Sequence, residues 1–423
     1  MDIGLHDNSV LKENLQKFNI MKIFFTVFFI FFVLWFSFFP QSVQNHCALY
    51  SKIFLVAVFL ILLIHKRGAR FLFHREDIFL WLFLGWDIFS VLFAYDKQAA
   101  WHMCADFVIP FIILYFLFKE ELDFNKAGVI LFVLFFSGIA VSIIGILEFI
   151  YKGNILYEHF FQNEYYRIYL SRSRIMSTMM VPAVLGTYLM CCLTVSYYII
   201  TITKKRIYKL FVLIGSGLIL IAILFTFTRT TWIAVLITAI FYFYNNNKKI
   251  LTVFMVFIFL LLGILALARL NPEINNRVRF DKMMDYLAYG HRLKRFPLTA
   301  KMIREHPFVG VGLDNYRVVF DKYYSPNKEN DYSLKIPDNM YLMILGESGI
   351  VGLGLFILFI IDVIRRYLTA LKNKDQNQRL LIRTLFVVFL GLLIHMLSYE
   401  LLYWTTPFFL FLLFLGMLSG QLN

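Results

Sequence analysis

The sequence is poor in the features that mark soluble domains and metalloproteins. Only 16% of its residues are charged, in short clusters between apolar runs. It holds four cysteines, Cys47, Cys104, Cys191 and Cys192, none at metal-ligand spacing. A Cys47–Cys104 bridge is left open with nothing to favour it, and Cys191–Cys192 lie inside an apolar run. No His, Cys, Asp and Glu cluster has the spacing of a metal site, so no metal or other cofactor is expected. No soluble domain, heptad repeat, low-complexity tract or inverted repeat is found. The first apolar run, 23–39, ends in FSFFPQ and has no small-residue cleavage site. It reads as a retained span and not as a signal peptide.

Apolar residues are what the chain has in excess. They make up 60% of 423 residues, 49 of them Phe, with a mean hydropathy of +0.70. Soluble domains hold about 45–50%. The expected fold is an all-α polytopic membrane protein. The net charge of +14 is then read as topology-setting residues that also meet anionic lipid, and nucleic acid is not expected as a partner. A membrane-crossing helix needs roughly 17–25 residues. Twelve stretches qualify: 23–39, 47–64, 77–94, 101–118, 128–150, 179–202, 207–227, 230–244, 249–268, 341–364, 380–399 and 405–420. The fourth carries Asp106 and Pro110, and the eighth is short. The chain thus divides into spans one to nine (1–268), a large loop (269–340) and spans ten to twelve (341–423).

Lys and Arg gather in alternate loops, among them HKRGARFLFHRE, KEELDFNK, TKKR, NNNKK and IRRYLTALKNKDQNQR. These are read as cytoplasmic, and both termini go with them. Two outward segments break the pattern: Tyr151–Thr178 and the largest loop, Arg269–Met340. Long loops translocate regardless of charge, so the question is what positive charge does there. Within the large loop, RLKRFPLTAKMIREHP reads as one amphipathic helix. Its apolar residues Phe296, Ala300, Ile303 and Phe308 fall near helical spacing, and Pro307 closes it.

The candidate site residues are outward. Arg229, in FTFTRTTW, is costly against lipid, so it faces the interior, snorkels, or binds an anion. A guanidinium fork suits phosphate because it donates two parallel hydrogen bonds and stays charged. Arg172 and Arg174 precede the sixth span, and Arg292, Lys294 and Arg295 open the loop helix. If they converge with Arg229 they form a pocket for a multiply charged anion; singly, each is a solvated surface charge. Gly310 and Gly312 read as a turn after His306 and Pro307. Asp338 and Asn339 open the tenth span, either as helix caps or with Asp338 as a base for a nucleophilic hydroxyl. Glu347 is a second carboxylate candidate. Gly346, Gly349, Gly352 and Gly354 read as a slim helix face for a close helix neighbour.

These pieces together resemble the O-antigen ligase and Wzy polymerase family of bacterial envelope glycosyltransferases. The resemblance runs over about Phe225–Gly354 and rests on TRTTW, RLKRFPLTAKMIREHPFVGVGLDNY and DNMYLMILGESGIVG. In the ligase pattern a His is followed by Asn, Ser or Gln, nine residues and Gly-x-x-Gly. Asn339, Gly349 and Gly352 keep that spacing, with Asp338 in the place of the His. The resemblance implies a twelve-span, metal-independent GT-C-type transferase of the inner membrane, its active site periplasmic in a large loop before span ten. The donor would be an undecaprenyl-diphosphate-linked glycan, and the acceptor lipid A–core for a ligase or another lipid-linked repeat unit for a polymerase. Arg229 and Arg292 would hold the diphosphate, with Arg174 a looser match, and Asp338 would activate the acceptor hydroxyl. Ligase is slightly favoured by the spacing that survives.

Two other classes compete on sequence. A lipid-linked glycan transporter or flippase would use charges within spans, with Asp87, Asp106, Glu148 and Asp362 as candidates. A non-catalytic envelope scaffold would account for the aromatic spans but gives the outward arginines no task.

Overall fold

A computed structural model describes residues 23–39, 48–66, 68, 72, 74–153, 174–244, 258, 275, 291–323 and 336–422. Among them the regular structure is helical, with no strand. The order is α1 (Ile23–Phe38), α2 (Ala48–His65), α3 (Ile78–Ser90), α4 (Lys97–Glu121), α5 (Phe124–Tyr151), α6 (Pro182–Ile202) and α7 (Arg206–Phe225). Then come α8 (Arg229–Phe243), α9 (His291–Glu305), α10 (Tyr316–Tyr323), α11 (Met340–Asn373), α12 (Gln376–His395) and α13 (Thr405–Leu422). Seven helices, α4 to α7 and α11 to α13, are long and apolar enough to cross a membrane. The protein is a multi-pass membrane protein. Helices stand at every expected span but the ninth, 249–268, which apart from Ile258 lies outside the described residues. Cys104, Cys191 and Cys192 are buried free thiols, and Cys47 lies outside the described residues.

Local sequence sets the helix starts. Asp96 accepts from the backbone N–H groups of Gln98 and Ala99 at the start of α4. Asp123 caps α5 through Lys126 N–H, and Asp375 with Gln378 forms a capping box on α12. Each such cap stabilises a helix by about 1 kcal/mol. In α4 a π turn over Cys104–Val108 precedes Pro110. Proline has no N–H, and its ring clashes with the carbonyl four residues back. The wider turn absorbs both effects, so the fourth span is a single helix despite its proline.

The core sits around α6, α12 and α13, whose side chains are mostly buried. α13 packs on α4, α12 on α6 and α8, and α11 on α3. One end of the bundle collects ion pairs. Lys66 reaches Glu120 at 3.1 Å, and Lys119 meets Asp77 at 2.5 Å in full burial, with Tyr115 O–H donating to the same Asp77 at 2.7 Å. Gln421 of α13 donates to Leu122 O, and Phe25 of α1 lies against His65. The start of α1 and the end of α13 therefore share that end.

At the opposite end the connections are irregular and hydrogen-bonded to one another. Thr178 donates to Ser37 O, Thr406 to Phe36 O, Tyr95 N–H to Val311 O and Met340 N–H to Met396 O. A small second core, Leu298, Met302, Tyr316, Val319, Phe320 and Met343, fastens α9 and α10 to the start of α11. The expected helix in the large loop is thus present as α9, but a different stripe is buried. Leu298, Thr299 and Met302 face inward, while Phe296 and Phe308 are exposed. The partner that selects the stripe, Tyr316, hydrogen-bonds Thr299 at 2.8 Å from the next helix.

One of the glycines of α11 works differently from expectation. Gly349 adopts φ +69° and breaks the helix. The freed carbonyls of Gly346 and Glu347 accept from Val311 and Gly312 N–H, and Ile350 N–H donates to Pro307 O. Gly346 admits the Tyr316 ring of α10 and Gly349 the loop backbone at Phe308, while Gly352 lies against Trp86 of α3, a helix neighbour of the kind expected.

Candidate functional site

The FTFTRTTW stretch folds as a tight turn between α7 and α8. Thr226 O–H donates to Ile223 O, and Phe227 takes φ +49°. Arg174, from the segment before α6, closes over this turn. Its Nε donates to Thr226 O at 2.9 Å and an Nη to Thr228 Oγ1 at 3.1 Å. Ile175 N–H donates to Phe225 O beside it. The arginine segment is itself anchored from below. Glu148 of α5 accepts from Met176 N–H at 3.2 Å and Ser177 N–H at 2.6 Å. Arg229 is the first residue of α8 and is exposed.

Two cations thus meet one helix N-terminus. Thr228 occupies the N-cap position without a side-chain cap bond, its hydroxyl being engaged by Arg174. Backbone N–H groups and the positive end of the helix dipole add to the guanidinium charge. The resemblance left Arg174 the looser match among the arginines; here it bonds Thr226 and Thr228, within three residues of Arg229 in the chain. Arg172 lies outside the described residues. Arg292 and Arg295 stand on α9, their side chains outside the described set.

Of the two residues that open α11, it is Asn339 that takes the capping task. Asn339 is the N-cap of α11, its Oδ1 accepting from Leu342 N–H at 3.0 Å. Its amide donates to Leu397 O at 2.8 Å. Asp338, half-buried, precedes it at φ +44°, a left-handed conformation that Asp tolerates better than most residues. The 395–397 segment joins this corner to the arginine turn. His395, buried at the end of α12, lies 2.8 Å from Thr231 Oγ1 of α8 and 3.1 Å from Thr187 Oγ1 of α6. Two residues on, Leu397 holds Asn339. Thr231, two residues after Arg229, and Asn339, next to Asp338, therefore both bond to the same short connection.

Three further groups join them that the sequence did not single out. Glu400 is 2% exposed and accepts from Trp404 Nε1–H at 3.2 Å. Arg317 of α10 is exposed, its guanidinium 5.8 Å from the Tyr403 ring centre. The Tyr403 hydroxyl donates to Glu347, which also accepts from Tyr316 N–H at 3.3 Å. Burial holds the Asp314 carboxyl above its ordinary value, with the Arg317 charge working against it. Burial, and then the negative charge of Asp338, does the same to Glu400. The connection YELLYW carries no Lys or Arg and so does not stand out in the sequence; its carboxylate gains meaning only from neighbours on α10 and α11.

The carboxylates that a transport pathway would use hold fixed partners. Asp87 accepts from Ser348 O–H at 2.6 Å, Asp106 pairs with Lys52, and Asp362 lies 2.9 Å from Arg366. Chemically, the site end offers a positive turn fit for an anion and, joined to it, carboxylates fit for sugar hydroxyls.

No curated protein matches the chain. Residues 210–357 match the model of a family described as O-antigen ligase. The segment runs from α7 into α11 and takes in Arg229, Arg317, Asp338 and Glu347, with Arg174 and Glu400 on either side of it. The similarity to that family covers 148 of the 423 residues, from the middle of the chain to the first part of α11.

Proposed function

We propose that the protein is a glycosyltransferase that moves an undecaprenyl-diphosphate-linked glycan en bloc onto a sugar hydroxyl at the periplasmic face of the bacterial inner membrane. The observation that carries this reading is the seat of Arg174 on the turn that leads into Arg229 at the start of α8, with Thr231 of α8 bonded to His395 and Asn339, the neighbour of Asp338, bonded to Leu397. In this reading the arginines, with Arg292 from α9, hold the diphosphate, and Arg172 and Arg295 are further substrate-binding residues. The acceptor oxygen attacks the anomeric carbon and gives its proton to Asp338. The bond from that carbon to the diphosphate oxygen breaks, and the electron pair leaves with the diphosphate. Neutralising that leaving charge in a site already organised for it supplies much of the rate.

Twelve spans, with both termini cytoplasmic and the 269–340 loop periplasmic, put this site outside. The Lys-rich connections share the opposite end of the bundle. Lipid A–core is the favoured acceptor, on the spacing from Asn339 to Gly352. Polymerase is the second reading, favoured by one residue: Asp338 stands where the ligase pattern has His.

Purified protein supplied with undecaprenyl-diphosphate glycan and lipid A–core is expected to glycosylate the core. Extension of the lipid-linked chain instead identifies a polymerase. Arg229→Ala should lower transfer at least 100-fold, within the range of losing one preorganised donor. Its melting temperature should hold, because a cation at a helix N-terminus does not stabilise the helix. A fully active Arg229→Ala protein rejects the anion site. Accumulation of translocated glycan in vesicles, without transfer, points to a transporter.

A further inference from the structure

One buried acidic group at this end has no task in the transfer step as described. Glu400 sits in the connection between α12 and α13. Its Oε1 accepts from Trp404, but its Oε2 is buried and has no hydrogen-bond partner among the described residues. Buried carboxyl oxygens without a partner are rare in folded proteins, and an explanation is called for. The surroundings of Glu400 are charged and aromatic. Asp338 is pinned to the same connection through Asn339–Leu397 and Met340–Met396. Arg317 approaches from α10 over Tyr403, whose N–H donates to Glu400 O. Trp404 stacks on Tyr399 with ring centres 5.6 Å apart and is itself partly exposed. Carboxyl oxygens beside flat aromatic faces suit a sugar, which offers hydroxyls at its edge and C–H groups on its faces.

Resting on the glycosyl-transfer reading, we propose that Glu400 is an acceptor-side subsite, its Oε2 hydrogen-bonding one hydroxyl of the acceptor sugar so that a neighbouring hydroxyl faces Asp338. The two carboxyls divide the work by exposure. Asp338, half-buried, meets the reacting hydroxyl; Glu400, deeper, fixes the ring. Burial and the Asp338 charge favour the neutral acid at Glu400, and that form donates Oε2–H to a sugar oxygen.

Steady-state transfer tests this, with lipid A–core varied at fixed donor and then undecaprenyl-diphosphate glycan varied at fixed acceptor. Glu400→Ala should raise the acceptor KM at least tenfold and the donor KM less than twofold. Glu400→Gln keeps a donor and an acceptor at that place and should hold the acceptor KM within threefold. An unchanged acceptor KM in Glu400→Ala, or a donor KM that rises equally, overturns the proposal. If chain growth is the wild-type activity, a lipid-free repeat-unit saccharide replaces the core as acceptor. A second measurement needs neither a variant nor turnover. Either acceptor alone should slow amide exchange across 397–404 of the wild-type protein, and unchanged exchange with both overturns the subsite. Wild-type protein that transfers to neither acceptor rejects the transferase reading, and the exchange result then decides on Glu400 by itself.

Discussion

Asn339 uses both ends of its amide on the fold, one on Leu342 and one on Leu397, and Asp338 is thereby relieved of capping. Two substitutions should separate these roles. Asn339→Ala removes a cap and should lower stability by about 1 kcal/mol in thermal unfolding. Asp338→Asn suits the same left-handed backbone and should leave the melting temperature in place. Its kcat should fall at least 100-fold, as expected for loss of a general base; wild-type kcat in Asp338→Asn would leave Asp338 without a proton-transfer role. Glu400 makes a prediction in pH. Its folded-state pKa lies above the ordinary Glu value of about 4.3. Below that value both folded and unfolded chains hold the proton, and the group has no effect on the slope. Above it the unfolded chain releases the proton first, so stability falls as pH rises toward the folded value. Glu400→Gln removes this loss, so its melting temperature should gain on wild type as pH goes from 4 to 8.

At the scale of elements, the break in α11 carries the site's architecture. A Cβ at Gly349 would run into the Phe308 carbonyl, on a backbone at φ +69°. Gly349→Ala is therefore expected to destabilise by more than the ~1 kcal/mol of an ordinary glycine effect. Gly354, only a turn further along α11, has open space around it. Gly354→Ala should be neutral or stabilising by up to about 1 kcal/mol. Paired melting curves of the two variants read the difference, and similar shifts would mean that the loop does not clamp the break. Helix starts at Asp96, Asp123 and Asp375 were open to reading because a cap is a contact between near neighbours. The break at Gly349 was not. Four glycines at helical spacing fit a helix neighbour as well as a loop, and only the backbone of 307–312 chooses.

Across the whole molecule, the buried Asp77–Lys119 pair ties the start of α3 to the end of α4 at the end of the bundle away from the site. Lys119→Met leaves Asp77 buried without its counter-ion and should cost about 3–5 kcal/mol. Adding Asp77→Leu should recover most of that, since an apolar pair of similar volume often does as well. Denaturation in detergent measures both; equal losses in the single and double variants would show that the ion pair matters for more than its charge balance. The helical, membrane-crossing character and the grouping of the Lys-rich loops follow from the amino-acid order alone, because apolar length and charge density are local properties of a chain. The same order singles out Arg174, Arg229 and Asp338, since costly charges beside apolar runs stand out. Long-range packing decided the rest: that Arg174 closes on the Arg229 turn, that Asn339 and not Asp338 caps α11, and that Glu400 stands beside Asp338. Those depend on hydrogen bonds and charges between residues far apart in the chain, where no local pattern specifies the partner.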